Sequence, residues 1–247
     1  MSHENKIVIV TGGGSGIGRA YVTALAKANA KVVIADIDEQ PAHELAHELT
    51  AAGHEVIAIR TDVTSEQDTL SMAAETVAKF GTIDVLVNNA GIFPQSEFLD
   101  LTYAHWRKVL AVNLDGPFLC CKAVAPEMVK NKRGKIINIS TECFFMGFET
   151  LVDYTAAKAG VVGLTRALAR SLGRHGINVN TITPGLTASD ALLRDQPENF
   201  DSHVARQCLN RVQRPDDLVG ALMFLASPAS DMVTGQIINV DGGFNLH

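Results

Sequence analysis

The chain has 247 residues, is 47% hydrophobic and carries a net charge of -6, which is enough apolar sequence to bury a substantial core within one domain. Its charges are interspersed, so no basic stripe is available to track a phosphate backbone, and nucleic acid is excluded as an expected partner. No apolar run reaches transmembrane length, and Met1-Ser2-His3-Glu4-Asn5-Lys6 lacks the basic and apolar regions of a signal peptide, so a soluble cytoplasmic protein is expected.

Short β-rich apolar runs recur between amphipathic stretches of helical length. Strands are expected at 6–10, 31–35, 55–60, 85–88, 135–139, 178–183 and 236–240, and helices at 18–28, 40–50, 65–80, 103–130, 153–173 and 216–226. Seven strands alternating with helices predict an α/β fold, a doubly wound seven-stranded parallel sheet in one Rossmann-like domain spanning 1–247. From 184 to about 211 periodicity fails, and a substrate lid is expected at about 186–211. Cys120, Cys121, Cys143 and Cys208 have neither disulfide-framework nor zinc spacing, and reduced thiols in packed positions are expected.

Thr11-Gly12-Gly13-Gly14-Ser15-Gly16-Ile17-Gly18 follows the first strand and leads into a helix. Glycine permits a tight turn, and a helix N-terminus favours a pyrophosphate. Asp36 ends the second strand, where its carboxylate can accept both ribose hydroxyls and repel a 2'-phosphate; Ile37 follows it. This favours NAD over NADP, although Arg19 lies just past the turn. Asp62, with Val63 beside it, is placed to accept from an adenine amine or to cap the next helix. Asn88-Asn89-Ala90-Gly91 ends the fourth strand at the carboxyl edge where open α/β sheets bind ligands. Tyr154 and Lys158 stand four apart on one helix, so a cation lies near a phenol.

With these motifs in order, the chain resembles the short-chain dehydrogenase/reductase family over essentially its whole length. The resemblance rests on the glycine turn, Asn88-Asn89-Ala90-Gly91, Asn113, Ser140-Thr141, Tyr154 with Lys158, and Pro184-Gly185. It implies a tyrosine acid/base and a homotetramer built on the helices 103–130 and 153–173. It also implies a serine thirteen positions before the tyrosine, which here is Thr141, with Ser140 one place early. Adjacent strand residues face opposite ways, so one of the two hydroxyls should face the substrate, and the register selects Thr141. The added methyl stiffens χ1 and narrows the space beside the substrate.

By the resemblance, Asn113, Thr141, Tyr154 and Lys158 form the catalytic set. Lys158 lowers the phenol pKa and holds the nicotinamide ribose, Thr141 bonds the substrate oxygen, and Asn113 holds a relay water; read alone, Asn113 is a helix kink or a buried amide. The expected cofactor contacts are Gly12, Ser15, Gly16, Ile17, Gly18, Asp36, Ile37, Asp62, Val63, Asn89, Ala90, Gly91, Tyr154, Lys158, Pro184, Gly185 and Thr187. Thr141, Cys143, Phe145, Tyr154, Leu186 and Leu192 are the expected substrate contacts. Phe93, Pro94, Phe144, Phe148, Leu193 and Phe200 are possible further walls of a mostly apolar pocket. A hydrophobic or aromatic secondary alcohol and its ketone fit such a pocket.

A weaker resemblance, on Phe144-Phe145, Thr183-Pro184-Gly185-Leu186 and the tail Asn239-Val240-Asp241-Gly242-Gly243, is to bacterial phenylethanol dehydrogenases and pyridoxal 4-dehydrogenases. The competing enzyme readings are an NADPH-dependent 3-oxoacyl-(acyl carrier protein) reductase and a pyridoxal-type alcohol dehydrogenase. A non-catalytic NAD sensor is a third, though the complete Asn, Thr, Tyr, Lys set speaks against it. His43-Glu44-Leu45-Ala46-His47 matches the zinc-peptidase pattern, but Leu45 and Leu49 form the buried stripe and leave both histidines facing water, so no metal is expected.

Overall fold

The computed structural model describes residues 3–189, 192 and 199–246. Strands β1 (Ile7–Thr11), β2 (Lys31–Asp36), β3 (Val56–Arg60), β4 (Val85–Asn88), β5 (Gly134–Ile139), β6 (Ile177–Pro184) and β7 (Ile237–Val240) form one parallel sheet in the order β3-β2-β1-β4-β5-β6-β7. Each observed strand lies within about two residues of its expected position. The helices are α1 (Gly16–Lys27), α2 (Glu39–Ala51), α3 (Glu66–Phe80), α4 (Tyr103–Leu110), α5 (Gly116–Asn131), α6 (Cys143–Met146), α7 (Val152–Gly173), α8 (Asn199–Val204) and α9 (Asp216–Leu225).

Side-chain alternation along the strands divides the core into two layers. Val8, Val10, Val32 and Ile34 pack with Leu25 of α1, Leu45 of α2 and Leu222 of α9. Ile9, Val33 and Leu86 pack on the other face with Met72 of α3 and with Val124 and Met128 of α5. Both faces are covered, which is why these strands are apolar throughout rather than half polar.

The sequence expectation of one helix at 103–130 is corrected: the backbone widens to a π-helical turn at Ala111–Asp115 between α4 and α5. The stretch Tyr103–Asn131 contains an 18-residue window of mean hydropathy 1.3, long and apolar enough to cross a membrane by length and composition alone. Its Cys120, Cys121, Val124 and Met128 are buried in the protein core, so it is the core helix of a folded domain. The thiols also divide differently from the expectation of four packed cysteines: Cys120 and Cys121 are buried, Cys143 is half-buried and Cys208 is exposed.

A polar chain runs through the apolar interior. Asn88 Nδ2 donates to Asn138 Oδ1 across β4 and β5 at 2.8 Å, and Asn138 Nδ2 donates to Thr165 Oγ1 of α7 at 2.8 Å. Thr181 Oγ1 of β6 donates to the same Thr165 oxygen at 2.8 Å. The sheet order reverses between β1 and β4, and the crevice at the carboxyl ends of these two strands is where doubly wound folds take their ligands.

Candidate active site

A cleft of about 1330 Å³ opens at that crevice. One end is built from backbone. Thr11 Oγ1 accepts from the amides of Asn89 (3.0 Å) and Ala90 (3.1 Å), while Asn89 Nδ2 donates to the carbonyls of Thr11 and Gly12, both at 3.0 Å. Gly12 has φ +61°, and a Cβ there would lie 2.8 Å from Ala90 Cα, so glycine is required for the close approach. Ser15 leads into α1 in an extended conformation with no side-chain cap, leaving the first-turn amides directed at the cleft. Asp36 Oδ2 accepts from the Gly14 amide at 2.9 Å and Oδ1 from the Asp38 amide at 3.1 Å, so this carboxylate also fixes the glycine turn. Arg19 reaches the cleft wall, and its guanidinium is engaged by Glu48 at 2.6 Å.

Gly12, Ser15, Gly16, Ile17, Asp36, Ile37, Asp62, Val63, Asn89, Ala90, Gly91, Pro184, Gly185 and Thr187 all line the cleft, as do Tyr154 and Lys158. Gly18 does not. A Cβ at Gly18 would collide with the Gly12 carbonyl, so this glycine allows α1 to pack against the turn instead of lining the cleft. The helix cap considered for Asp62 belongs to Ser65, whose side chain accepts from the Asp68 amide; Asp62 Oδ1 accepts from the amide and hydroxyl of Thr64.

At the centre, β5 and α7 are laced together twice. Ser140 Oγ donates to the Lys158 carbonyl at 2.8 Å, and Lys158 Nζ donates to the Ile139 carbonyl at 2.8 Å. The strand alternation therefore turns Ser140 into the helix and Thr141 toward the cleft. There Thr141 hydrogen-bonds the Tyr154 phenol and accepts from the Cys143 amide at 3.3 Å. Lys158 Nζ stands 5.7 Å from the Tyr154 ring centroid.

Burial raises the Tyr154 phenol above its ordinary value; nearby Cys143 adds to the rise and the Thr141 hydrogen bond opposes it. Burial pushes the Lys158 ammonium down to about 8 and the Cys143 thiol up to about 11. The expectation that Lys158 lowers the phenol is corrected for this structure, in which burial sets the direction and Thr141 supplies the opposing effect.

Asn113 lies on the π-helical turn, fully buried and off the cleft wall. Its Nδ2 donates to the carbonyls of Ile92 (2.8 Å) and Val109 (3.0 Å), and its Oδ1 accepts from the Ile92 amide at 3.3 Å. The kink and the buried amide are both present. Yet a Cβ at Gly91 would meet Asn113 Oδ1 at 2.7 Å and Lys158 Nζ at 3.5 Å, which brings the amide oxygen and the ammonium to the same face of that glycine.

The other end of the cleft is made of side chains. Cys143, Leu186 and Leu192 line it, as do Phe93, Phe148 and Leu151. Phe145 does not: on the short helix α6 it packs at a tilt against Phe144, with 3.9 Å between ring centroids. Pro94 and Phe144 are also off the wall, and Phe200 of α8 is buried in the protein instead. In the expected lid, residues 190, 191 and 193–198, Leu193 among them, lie outside the described residues. Of the described remainder, Leu186, Thr187, Ser189, Leu192, Ser202, His203 and Arg206 line the cleft.

Sequence reasoning missed a polar corner here. Glu142 is 2% exposed and faces His203, with Oε1 and Nε2 3.3 Å apart. Burial first and Asp241 second push the Glu142 carboxyl up to about 8; burial and then Arg206 push His203 down to about 4. His203 stacks on Phe244 at 4.1 Å and 7°, and the Arg206 guanidinium lies 4.3 Å from the same ring. A carboxylate directly after Thr141 was a visible signal; its partners 61 and more positions away were not.

The zinc-peptidase pattern lies on α2. His43 and His47 are exposed on α2 while Leu45 and Leu49 are buried, and no metal-holding cluster is found among the described residues.

The comparisons with known proteins agree with this geometry. A family model described as enoyl-(acyl carrier protein) reductase matches residues 12–245. The chain is 39% identical over 247 residues to the hydroxy(phenyl)methylsuccinyl-CoA dehydrogenase subunit BbsD of Thauera aromatica, covering 100% of this chain and 99% of that one. It is also 39% identical to a 3-oxoacyl-(acyl-carrier-protein) reductase of Synechocystis, covering 96% of each chain. The crystal structure of gox2181 superposes with a TM-score of 0.95 at 35% identity, covering 98% of this chain and 96% of that one. The glycine turn, the parallel sheet and these matches together make the chain a member of the short-chain dehydrogenase/reductase family of oxidoreductases.

Proposed function

We propose that the protein is an NAD-dependent oxidoreductase interconverting a hydrophobic or aromatic secondary alcohol and its ketone, with Tyr154 as acid/base. The observation that carries this reading is the Thr141 hydrogen bond to the Tyr154 phenol with Lys158 Nζ 5.7 Å from the ring, in a cleft whose far end terminates at Asp36.

The residues present fit a dinucleotide: the Gly12 approach that a Cβ would block, the uncapped start of α1, and a carboxylate at the end of β2. When bound, NAD supplies the hydride acceptor and a positive charge beside the phenol. Asp36 would accept the ribose hydroxyls, and Asp62 and Val63 would border the adenine. Thr141 donates to the substrate oxygen and steadies charge there. Tyr154 takes or gives the hydroxyl proton, and Lys158, with Asn113 behind Gly91, passes the proton onward through water. Arg19 is held by Glu48, which leaves the Asp36 carboxylate unopposed and favours NAD over NADP.

The same reading carries a homotetramer in the cytoplasm, the former testable by light scattering after size exclusion. The rival is an NADPH-dependent 3-oxoacyl-(acyl carrier protein) reductase, favoured by the 39% identity to the Synechocystis reductase. A panel of secondary alcohols, ketones and 3-oxoacyl thioesters, followed by absorbance of the reduced cofactor, separates them. Oxidation of aryl or alicyclic alcohols with NAD is expected; reduction of 3-oxoacyl thioesters alone, with NADPH alone, overturns the reading.

A further inference from the structure

The wall of the cleft beyond Thr141 is not only apolar. Glu142 Oε2 is buried and makes no well-formed hydrogen bond among the described residues, the Leu186 amide being only loosely turned toward this carboxyl, and the residue borders the cleft. A buried polar atom without a partner costs about 1–3 kcal/mol, so its retention at a cleft wall points to a ligand group that would meet it. The neighbouring groups define the charge such a ligand should carry. Asp241 is occupied, accepting from Asn239 Nδ2 (2.7 Å) and the amides of Gly243 (2.9 Å) and Asn245 (2.8 Å). His203, shifted down to about 4, is a neutral imidazole at pH 7, and Glu142, shifted up to about 8, is mostly a neutral acid able to donate. Arg206 is then the permanent charge lining the cleft in this corner, while the Asp241 carboxylate, held below its ordinary range by its hydrogen bonds, is an opposite charge set off the cleft wall. The contacts of Arg206 are the Phe244 ring at 4.3 Å and the Met146 sulfur at 3.8 Å, and neither neutralises it. Lys108 and Glu149 also reach the cleft, exposed and of opposite sign.

We infer that the substrate's apolar body carries a carboxylate, received by the Arg206 guanidinium with the Glu142 carboxyl beside it. This rests on the proposed alcohol oxidoreductase reading and narrows its substrate class. A guanidinium and a neutral acid together offer charge-assisted and ordinary donors to one anion, whereas a cationic substituent would meet Arg206 as a like charge. Phe244 holds the guanidinium by stacking, which limits the rotamer freedom lost on binding.

The test is calorimetric titration of the NADH-loaded protein at pH 7 with cyclohexanecarboxylate and with its neutral isostere cyclohexanecarboxamide. The acid should bind about tenfold more tightly, and Arg206→Gln, at an exposed position, should erase the difference without changing thermal stability. Glu142→Leu should weaken the acid several-fold, and Glu142→Gln, which keeps a donor, should restore part of it. Equal binding of acid and amide, no measurable binding of the acid, a preference that survives Arg206→Gln, or tighter binding of cyclohexylmethylammonium each overturns the inference. NADH uptake in the same titration is the separate check: its failure sinks the cofactor reading, while uptake with indifference to the acid sinks only the carboxylate subsite.

Discussion

At the end of the cleft between Thr11 and Asn89 the wall is main chain, and at the end between Glu142 and Phe244 it is side chain. The first is fixed by short bonds among neighbours on adjacent strands, such as Asn89 to the Thr11 and Gly12 carbonyls. The second is assembled from the end of β5, helix α8 with the segment after it, and the tail after β7, held by stacking on Phe244 and by a buried acid facing an imidazole. A wall made largely of main chain keeps its donors whatever the side chains, so any choice made there falls to the few side chains set into it, Asp36 above all. A side-chain wall can be rewritten one position at a time, so under the proposed function substrate selectivity would belong there.

The largest expected effect lies at the joint between the two ends. Tyr154→Phe should lower kcat by about 10³-fold while leaving NADH fluorescence titration largely unchanged; turnover within several-fold of wild type would remove the tyrosine from the mechanism. Next, Thr141→Val should lower kcat by about 10²-fold, as expected for loss of one donor at the reacting oxygen. Ser140→Ala should instead cost about 1 kcal/mol of stability through the lost bond to the Lys158 carbonyl. If Ser140→Ala is the more damaging to kcat, the two hydroxyls have been assigned to the wrong tasks.

On the main-chain end, Asp36→Ala should shift the NAD to NADP ratio of kcat/KM by about tenfold, with a melting temperature a few degrees lower because the Gly14 and Asp38 amides lose their acceptor. A ratio that does not move would place cofactor choice elsewhere.

On the side-chain end, Glu142→Gln tests the buried acid by pH. The folded state raises this carboxyl from 4.5 to about 8, so it favours the protonated form. Its contribution to stability is complete below about 4.5 and is lost as pH rises through 8. The variant should therefore gain in melting temperature relative to wild type between pH 5 and 8, and a constant difference would contradict a buried protonated acid. The smallest effect should come from Phe145→Ala, which removes the packing against Phe144 but no cleft wall: KM for any accepted alcohol should be unchanged while the melting temperature falls.

The same division explains what the sequence displayed. Strand positions were visible because both sheet faces are covered, which makes β1, β2 and β4 continuous apolar runs. Most of the residues expected around the dinucleotide are contiguous and line the cleft; Gly18 was the exception, since spacing alone does not separate a glycine that packs a helix from one that faces a ligand. The hydroxyl pair was divided by strand alternation, a local rule. By contrast Phe145 was placed on the cleft from composition, and a single turn of helix α6 carried it away. The π-helical turn at Asn113 left no trace in the pattern, because its cause is a tertiary pairing with the Ile92 backbone. Glu142, His203, Arg206 and Phe244 meet only after folding, and no spacing rule unites them.

The buried chain from Asn88 through Asn138 to Thr165 and Thr181 bears on how this scaffold could be re-engineered. Its members sit on β4, β5, α7 and β6, and each side chain is hydrogen-bonded to a residue on a different element. A graft that imports α7 with Tyr154 and Lys158 from another enzyme, but brings an apolar residue at position 165, would strand the Asn138 amide and the Thr181 hydroxyl inside the sheet. The substrate end can be exchanged residue by residue at 142, 203 and 206, whereas the helix that carries the chemistry is interchangeable only together with the three strands it is bonded through.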